Sequence, residues 1–177
     1  MNKISIHFFK TPLGDLLLGS FNGELCLCDW QYRKMRNEVD KRIQEGLDAF
    51  YEEEETPVIR ATKNQLTEYL NRNRKNFDIP LCMAGTDFQK RVWNELIQIP
   101  YGGTMSYMGL SRKLGNEKAI RAVAAANGAN AISIIVPCHR IVGSKGELTG
   151  YAGGLDAKKK LLQLENPQLL SEQLQLF

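Results

Sequence analysis

In this chain of 177 residues the strongest candidate for chemistry is Cys138. It follows Pro137, which removes a backbone donor and fixes the local turn. It precedes His139, one of only two histidines in the chain. A thiol is a poor nucleophile until it loses its proton, and a nearby imidazole is well suited to take it. Glu165 supplies a carboxylate that would orient the imidazole, giving a Cys-His-Glu arrangement. Neighbours in sequence need not bring their side chains together, so Pro137-Cys138-His139-Arg140 alone equally fits a buried structural Cys beside a core His. A second group is Cys26 and Cys28, which flank one residue and so face one side of a strand. With His7 and Cys82 they would number four zinc ligands. A one-residue gap is not a usual zinc spacing, and Cys is a common core residue, so no metal and no cofactor are assigned.

These residues need elements to position them. Ile4, Ile6 and Phe8 alternate with polar neighbours at the period of a half-buried strand. A turn at Thr11-Pro12-Leu13-Gly14, a strand from Asp15 to Ser20, the hairpin signal Asn22-Gly23 and a strand from Glu24 to Trp30 complete an antiparallel meander. Residues 33–51 are charged and helix-prone. Glu52-Glu53-Glu54-Glu55 followed by Thr56-Pro57 reads as a solvated break. The helix after it carries Ile59, Leu66, Tyr69 and Leu70 on one stripe. Residues 77–81 read as extended, and the domain boundary falls near Met83-Ala84-Gly85. Beyond it, Thr86 or Asp87 caps a helix with Phe88, Val92, Leu96 and Ile97 on one face. Ser106 caps a short helix to Leu114, Gly115-Asn116 is a turn, and Glu117 to Ala126 is an Ala-rich second helix. The pair fits a helix-turn-helix, and it fits an ordinary helical hairpin as well. The apolar run 131–136 reads as a buried strand, a glycine-rich loop follows Arg140, and Lys158 to Glu165 is a last helix. The fold class expected is α+β, with an antiparallel sheet and helices in residues 1–83, a mainly helical domain in 84–166 and a tail in 167–177.

Composition narrows the function classes. Hydrophobic residues are 43% and charged ones 24%, which excludes wholesale disorder. No apolar run approaches the roughly 20 residues of a membrane span, and the start is too short in its apolar part for a signal peptide, so the expected location is the cytoplasm. Four Cys in such a chain read as thiols rather than a disulfide framework. Residues 1–80 hold 12 Lys+Arg against 13 Asp+Glu, while residues 81–177 hold 11 against 7. The basic excess lies in the half that carries Cys138, a hint of a nucleic-acid partner there.

Gly85-Thr86-Asp87-Phe88-Gln89, Val92-Trp93, Ile99-Pro100-Tyr101-Gly102, Thr104-Met105-Ser106-Tyr107, Arg121-Ala122-Val123, Val136-Pro137-Cys138-His139-Arg140, Gly150-Tyr151-Ala152-Gly153-Gly154 and Lys158, Leu161-Leu162 and Glu165 together resemble the active domain of the O6-alkylguanine-DNA alkyltransferases. The N-terminal half resembles that family's ribonuclease-H-like domain. The resemblance implies that Cys138 is the alkyl acceptor, that His139 takes the thiol proton through a water, and that Glu165 holds His139. It implies that the damaged nucleotide is flipped from the duplex, that Arg121 fills the space left, and that Tyr107 contacts the flipped base or its phosphate. Asn130 would tie the helical pair to the active-site segment, and Ile141, Tyr151 and Ala152 would line the pocket. Some members carry a structural zinc in the first domain. Two departures stand out: Ala124 where many members have Gly, and Ala131 where Pro is common.

The activity expected is stoichiometric, irreversible transfer of the alkyl group from O6-alkylguanine in double-stranded DNA, and from O4-alkylthymine, by a monomer. The alternatives are a lesion-binding or regulatory module and a Cys-dependent hydrolase, which would need an oxyanion hole and repeated turnover. The closing Gln173-Leu174-Gln175-Leu176-Phe177 resembles the short peptide by which bacterial repair and replication proteins dock on the sliding clamp. An amphipathic tail packed on its own domain fits the same residues.

Overall fold

A computed structural model describes residues 1–168, which divide into two compact units meeting in sequence at Thr86 and Asp87. The first unit is built on strands β1 (Asn2–Thr11), β2 (Gly14–Phe21) and β3 (Glu24–Trp30). They pair antiparallel in sequence order. The hairpin between β2 and β3 turns through Asn22 (φ 51°) and Gly23 (φ 81°). Two successive left-handed residues match the twist of the flanking strands, and Asn-Gly is the pair that adopts them most readily.

Helix α1 (Arg36–Leu47) buries Val39 and Ile43 on the sheet unit, and α2 (Pro57–Leu70) buries Ile59, Thr62, Leu66 and Tyr69. Between them lies a strand that the sequence reading lacks. Residues Ala49–Glu53 form β4, parallel to β1, so the sheet order is β3-β2-β1-β4. Glu52 and Glu53 therefore belong to an edge strand and not to a break. Charge suits an exposed edge, because it discourages pairing with another chain. Lys3 on β1 bridges Glu52 at 3.2 Å and Glu54 at 2.7 Å. The solvated segment shrinks to a few residues, ending at Thr56, whose hydroxyl accepts from Ile59 N and caps α2.

The second unit opens with α3 (Asp87–Ile97), whose buried residues are Val92, Trp93 and Leu96. The expected stripe is rotated: Ile97 is 39% exposed, and Trp93 takes the inward place, donating from Nε1 to Ala126 O at 2.8 Å. Ser106 caps α4 (Tyr107–Lys113) by accepting from Gly109 N. The partner helix starts later than expected. Residues Glu117–Ala119 form a 3-10 turn, and α5 runs over Ile120–Gly128. Helix α6 spans Leu155–Glu165, three residues earlier than the sequence suggests.

Residues 131–136 are not a strand. Ile134 has φ 72°, Ile135 N donates to Ser133 O and Val136 N to Ile132 O, so the run is a coiled set of turns. A short run of apolar β-branched residues marks burial, and all six are buried, but periodicity cannot separate a buried strand from a buried turn. Two short strands, β5 (Met105–Ser106) and β6 (Ile141–Val142), pair in parallel.

Candidate active site

Cys138, His139 and Arg140 form one 3-10 turn, and all three are buried. Asn130, at the exit of α5, sets the path to that turn. Its Nδ2 donates to Val136 O at 2.8 Å and to Ile132 O at 3.4 Å, and its Oδ1 accepts from Ile132 N at 3.0 Å. One buried amide thus fixes both ends of residues 131–136, and Cys138 is delivered two residues later.

The turn points His139 and Arg140 at one carboxylate. His139 Nε2 lies 2.8 Å from Glu165 Oε1. Arg140 donates from Nη2 to Oε1 at 2.8 Å and from Nε to Oε2 at 2.9 Å. Gly102 N donates to Oε2 at 3.3 Å. Arg140 is itself held by Nη1 donating to Ile99 O at 2.7 Å, and its guanidinium lies 5.9 Å from the centre of the Tyr101 ring. Burial pushes the Glu165 carboxyl up, but the bonds and charges of His139 and Arg140 more than offset that and hold it well below the usual carboxylate range. An ionised carboxylate only accepts hydrogen bonds, so Nε2 of His139 carries the proton and Nδ1 presents a lone pair. That Nδ1 is buried and has no hydrogen-bond partner among the described residues. Burial also lowers the basicity of His139, against the opposing pull of Glu165, so the ring stays neutral near pH 7. A neutral imidazole with a free, buried lone pair beside a thiol-bearing turn is a general base in waiting.

Lys158 on α6 is fully buried. Its ammonium donates to Thr149 O at 2.7 Å and to Gly150 O at 3.3 Å. Burial lowers it to about 8, and negative charge at Cys138 acts against that shift. Coulombic coupling is mutual, so the ammonium favours a thiolate at Cys138. The loop that Lys158 holds also meets Tyr107, whose hydroxyl accepts from Thr149 Oγ1 at 3.3 Å.

The structure therefore joins His139 to Glu165 directly, and Tyr107 to the loop preceding Tyr151 and Ala152. Ile141 is fully buried and pairs with Met105, which sets the first turn of α4 beside the segment that follows Cys138. Tyr151 and Ala152 are half-buried in that loop, and Arg121 stands exposed on α5. Two residues matter that the sequence reading left without roles, Arg140 and Lys158. Lys158, Leu161, Leu162 and Glu165 follow the spacing i, i+3, i+4, i+7, so charged residues occupy both ends of an apolar stripe. That pattern was the available signal.

Elsewhere, Cys26 and Cys28 are buried on β3. Burial raises the Cys26 thiol to about 12 and pushes Cys28 up as well. His7 lies against Lys63, Nδ1 to Nζ 2.6 Å. Among the described residues no group of three or more His, Cys, Asp or Glu is placed to hold a metal ion, and no helix is long and apolar enough to cross a membrane. The stretch Gln173-Leu174-Gln175-Leu176-Phe177 lies outside the described residues.

Two family models match the chain: the 6-O-methylguanine DNA methyltransferase ribonuclease-like domain over residues 4–83, and the DNA binding domain of the same name over residues 87–167. A methylated-DNA–protein-cysteine methyltransferase of Methanosarcina acetivorans is 44% identical over 157 residues, covering 89% of this chain and 95% of that protein. One from Methanosarcina mazei is 48% identical over 163 residues, covering 92% and 98%. A crystal structure of Mycobacterium tuberculosis OGT in complex with DNA aligns with TM-score 0.78 at 35% identity, covering 94% of each chain.

Proposed function

The chain belongs to the 6-O-methylguanine DNA methyltransferase family, and from that premise we propose that it repairs DNA by moving the alkyl group of O6-alkylguanine onto Cys138, once per molecule. The observation that carries the residue assignment is the His139–Glu165 pair, 2.8 Å apart, with Nδ1 of His139 unpartnered on the turn that holds Cys138. The Sγ–H proton passes to Nδ1 by way of a water. The thiolate then attacks the alkyl carbon on O6: the S–C bond forms, the C–O6 bond breaks, and its electron pair stays on the base, which regains a proton to become guanine. Glu165 stabilises the imidazolium while it exists, and Lys158 favours the thiolate before it reacts. The product is a thioether, which none of these groups can cleave, so the reaction stops after one transfer.

Cys138 is 4% exposed, and the target carbon lies inside the duplex. The two meet when the nucleotide leaves the stack. Arg121 on the exposed side of α5 fills the vacated space, Tyr107 contacts the base that enters, and Ile141, Tyr151 and Ala152 wall the pocket. Asn130 keeps the acceptor turn in place while α5 lies on the DNA. O4-alkylthymine presents the same alkyl–oxygen bond and is a second substrate. The partner is double-stranded DNA, bound by a monomer in the cytoplasm. Gln173-Leu174-Gln175-Leu176-Phe177 docks on the sliding clamp; unchanged clamp binding after removing those five residues ends that part of the reading.

Intact mass spectrometry after mixing the protein with a duplex carrying one O6-methylguanine tests the function. The expected result is one added methyl per chain on the wild type and none on Cys138→Ala. Tight binding without added mass leaves a lesion-binding module instead, and product beyond one equivalent leaves a turnover enzyme.

A further inference from the structure

Cys26 lies on β3, at the edge of the four-stranded sheet. The outer side of that edge is taken by a short stretch from the end of the first unit. Leu25 N donates to Pro80 O at 2.8 Å, and Cys82 N donates to Leu25 O at 2.9 Å. The two bonds make Leu25 and Leu81 a parallel pair. In a parallel ladder the register advances one residue at a time on both strands, so the next position sets Cys26 beside Cys82. On its inner side β3 bulges. Gly19 faces Leu27 and Ser20 faces Leu25, which leaves Cys26 as the extra residue.

Electrostatics agrees with that register. After burial, the second cause that raises the Cys26 thiol is the charge of Cys82, and such coupling requires the two groups to be close. Adjacent strands run about 4.8 Å apart, inside the roughly 4.4–6.8 Å between Cα atoms that a disulfide bridges. The two thiols differ in access. Cys26 is 1% exposed. Cys28 and Cys138 are buried as well, and of the four cysteines only Cys82 is partly open to solvent. An oxidant in solution reaches Cys82 first, and Cys26 is the thiol beside it. Redox-sensitive pairs divide the work in this way, between an accessible thiol and a resolving one.

We propose that Cys26 and Cys82 form a reversible oxidation site, at which a peroxide joins the two thiols as a disulfide and staples residues 80–82 to the edge of β3. The Cys82 thiolate attacks one peroxide oxygen and the O–O bond breaks, giving a sulfenic acid and water. The Cys26 sulfur then attacks the Cys82 sulfur. The S–S bond forms, the S–O bond breaks, and the departing hydroxide takes the Cys26 proton as a second water. Two thiols are oxidised and one peroxide is reduced. A small dithiol reverses the link by exchange. Neither thiol takes part in the transfer proposed above.

The test uses the full chain and hydrogen peroxide. After oxidation the remaining thiols are blocked with N-ethylmaleimide under denaturing conditions, and the protein is digested without reduction for peptide mass spectrometry. The expected result is a Cys26–Cys82 linked pair of peptides, with Cys28 and Cys138 carrying the maleimide, and loss of the link on adding dithiothreitol. The link closes a long loop of the unfolded chain, so the oxidised protein should melt about 5 °C or more above the reduced one. Cys82→Ser, changed at a partly exposed position, should show neither the link nor the rise. Cys82 carried to a sulfinic acid while Cys26 takes the maleimide overturns the proposal. So does a link between Cys26 and Cys28, a link between two chains, or no link at a dose that already oxidises Cys138. A linked protein that melts below the reduced one overturns the claim that the folded register is ready for the bond.

Discussion

Glu165 accepts from His139, twice from Arg140 and from Gly102. It holds the base in one tautomer and neutralises a buried guanidinium. Glu165→Gln leaves Arg140 buried without its counter-charge, at a cost on the order of 3–5 kcal/mol, and lets the amide donate to His139 Nε2, which removes the defined lone pair at Nδ1. The expected outcome is a lower urea midpoint together with a slower transfer rate. Because Glu165 is held below its ordinary value of 4.5, its contribution is present above that value and is lost as pH falls through the depressed one. The stability of Glu165→Gln should therefore fall less steeply on acidification than that of the wild type. Lys158 runs the other way. Its ordinary value is 10.5 and its folded value about 8, so between those values the unfolded chain binds the proton and the folded one does not. Burying the ammonium costs stability below pH 8, and the cost is relieved as pH rises through that window. Relative to Lys158→Met, the wild type should gain stability between pH 8 and 10, measured by urea unfolding at both. Cys138, His139 and Glu165 were legible as residue types, but the meeting of His139 with Glu165 was not. Glu165 reaches His139 across the whole glycine-rich loop, and nothing in the spacing fixes that closure. Lys158 was hidden by its type, since a helical Lys ordinarily faces water.

At the scale of elements, the meander was legible because Asn22-Gly23 and the alternating strands are strong local signals. The later part of the first unit was harder. Strand β4 is five residues long, follows helix α1 directly, and carries Glu52 and Glu53; its identity comes from pairing with β1 across the chain, which local pattern does not record. Residues 131–136 failed for the opposite reason. Their β-branched composition promised a strand, while the conformation is imposed by the side chain of Asn130. Asn130→Ala is the corresponding test. It leaves Val136 O and Ile132 N without their partners in a buried segment, each unsatisfied group costing about 1–3 kcal/mol. The transfer rate measured below the melting temperature should fall as well, because the turn that carries Cys138 loses its anchor. An unchanged rate in a folded Asn130→Ala protein would separate the anchor from the chemistry.

Across the whole molecule, every residue assigned a part in the reaction lies in the second unit, while the first unit holds a buried ionic cluster of its own. Asp29 is fully buried, accepts from Arg33 and Arg36 at 2.9 Å each, and Arg36 is further paired with Asp40 at 2.8 Å. Asp29→Asn leaves two guanidinium groups short of a counter-charge, so the unfolding free energy measured in urea should drop by an amount on the order of 3–5 kcal/mol, while the methyl transferred per folded molecule stays the same. The division of charge fits the same arrangement, with the basic excess in residues 81–177, the half that meets DNA in the proposed reaction. Cys138, the acceptor in the proposed reaction, is 4% exposed. A nucleophile that reacts once and is never regenerated has to be chemoselective, because every stray electrophile that finds it removes a molecule from service. Within the cell, small alkylating agents and oxidants are free in solution and approach from all directions. In the proposed reaction, a thiol set in a buried turn is kinetically shielded from them and answers to a carbon presented by an extruded nucleotide.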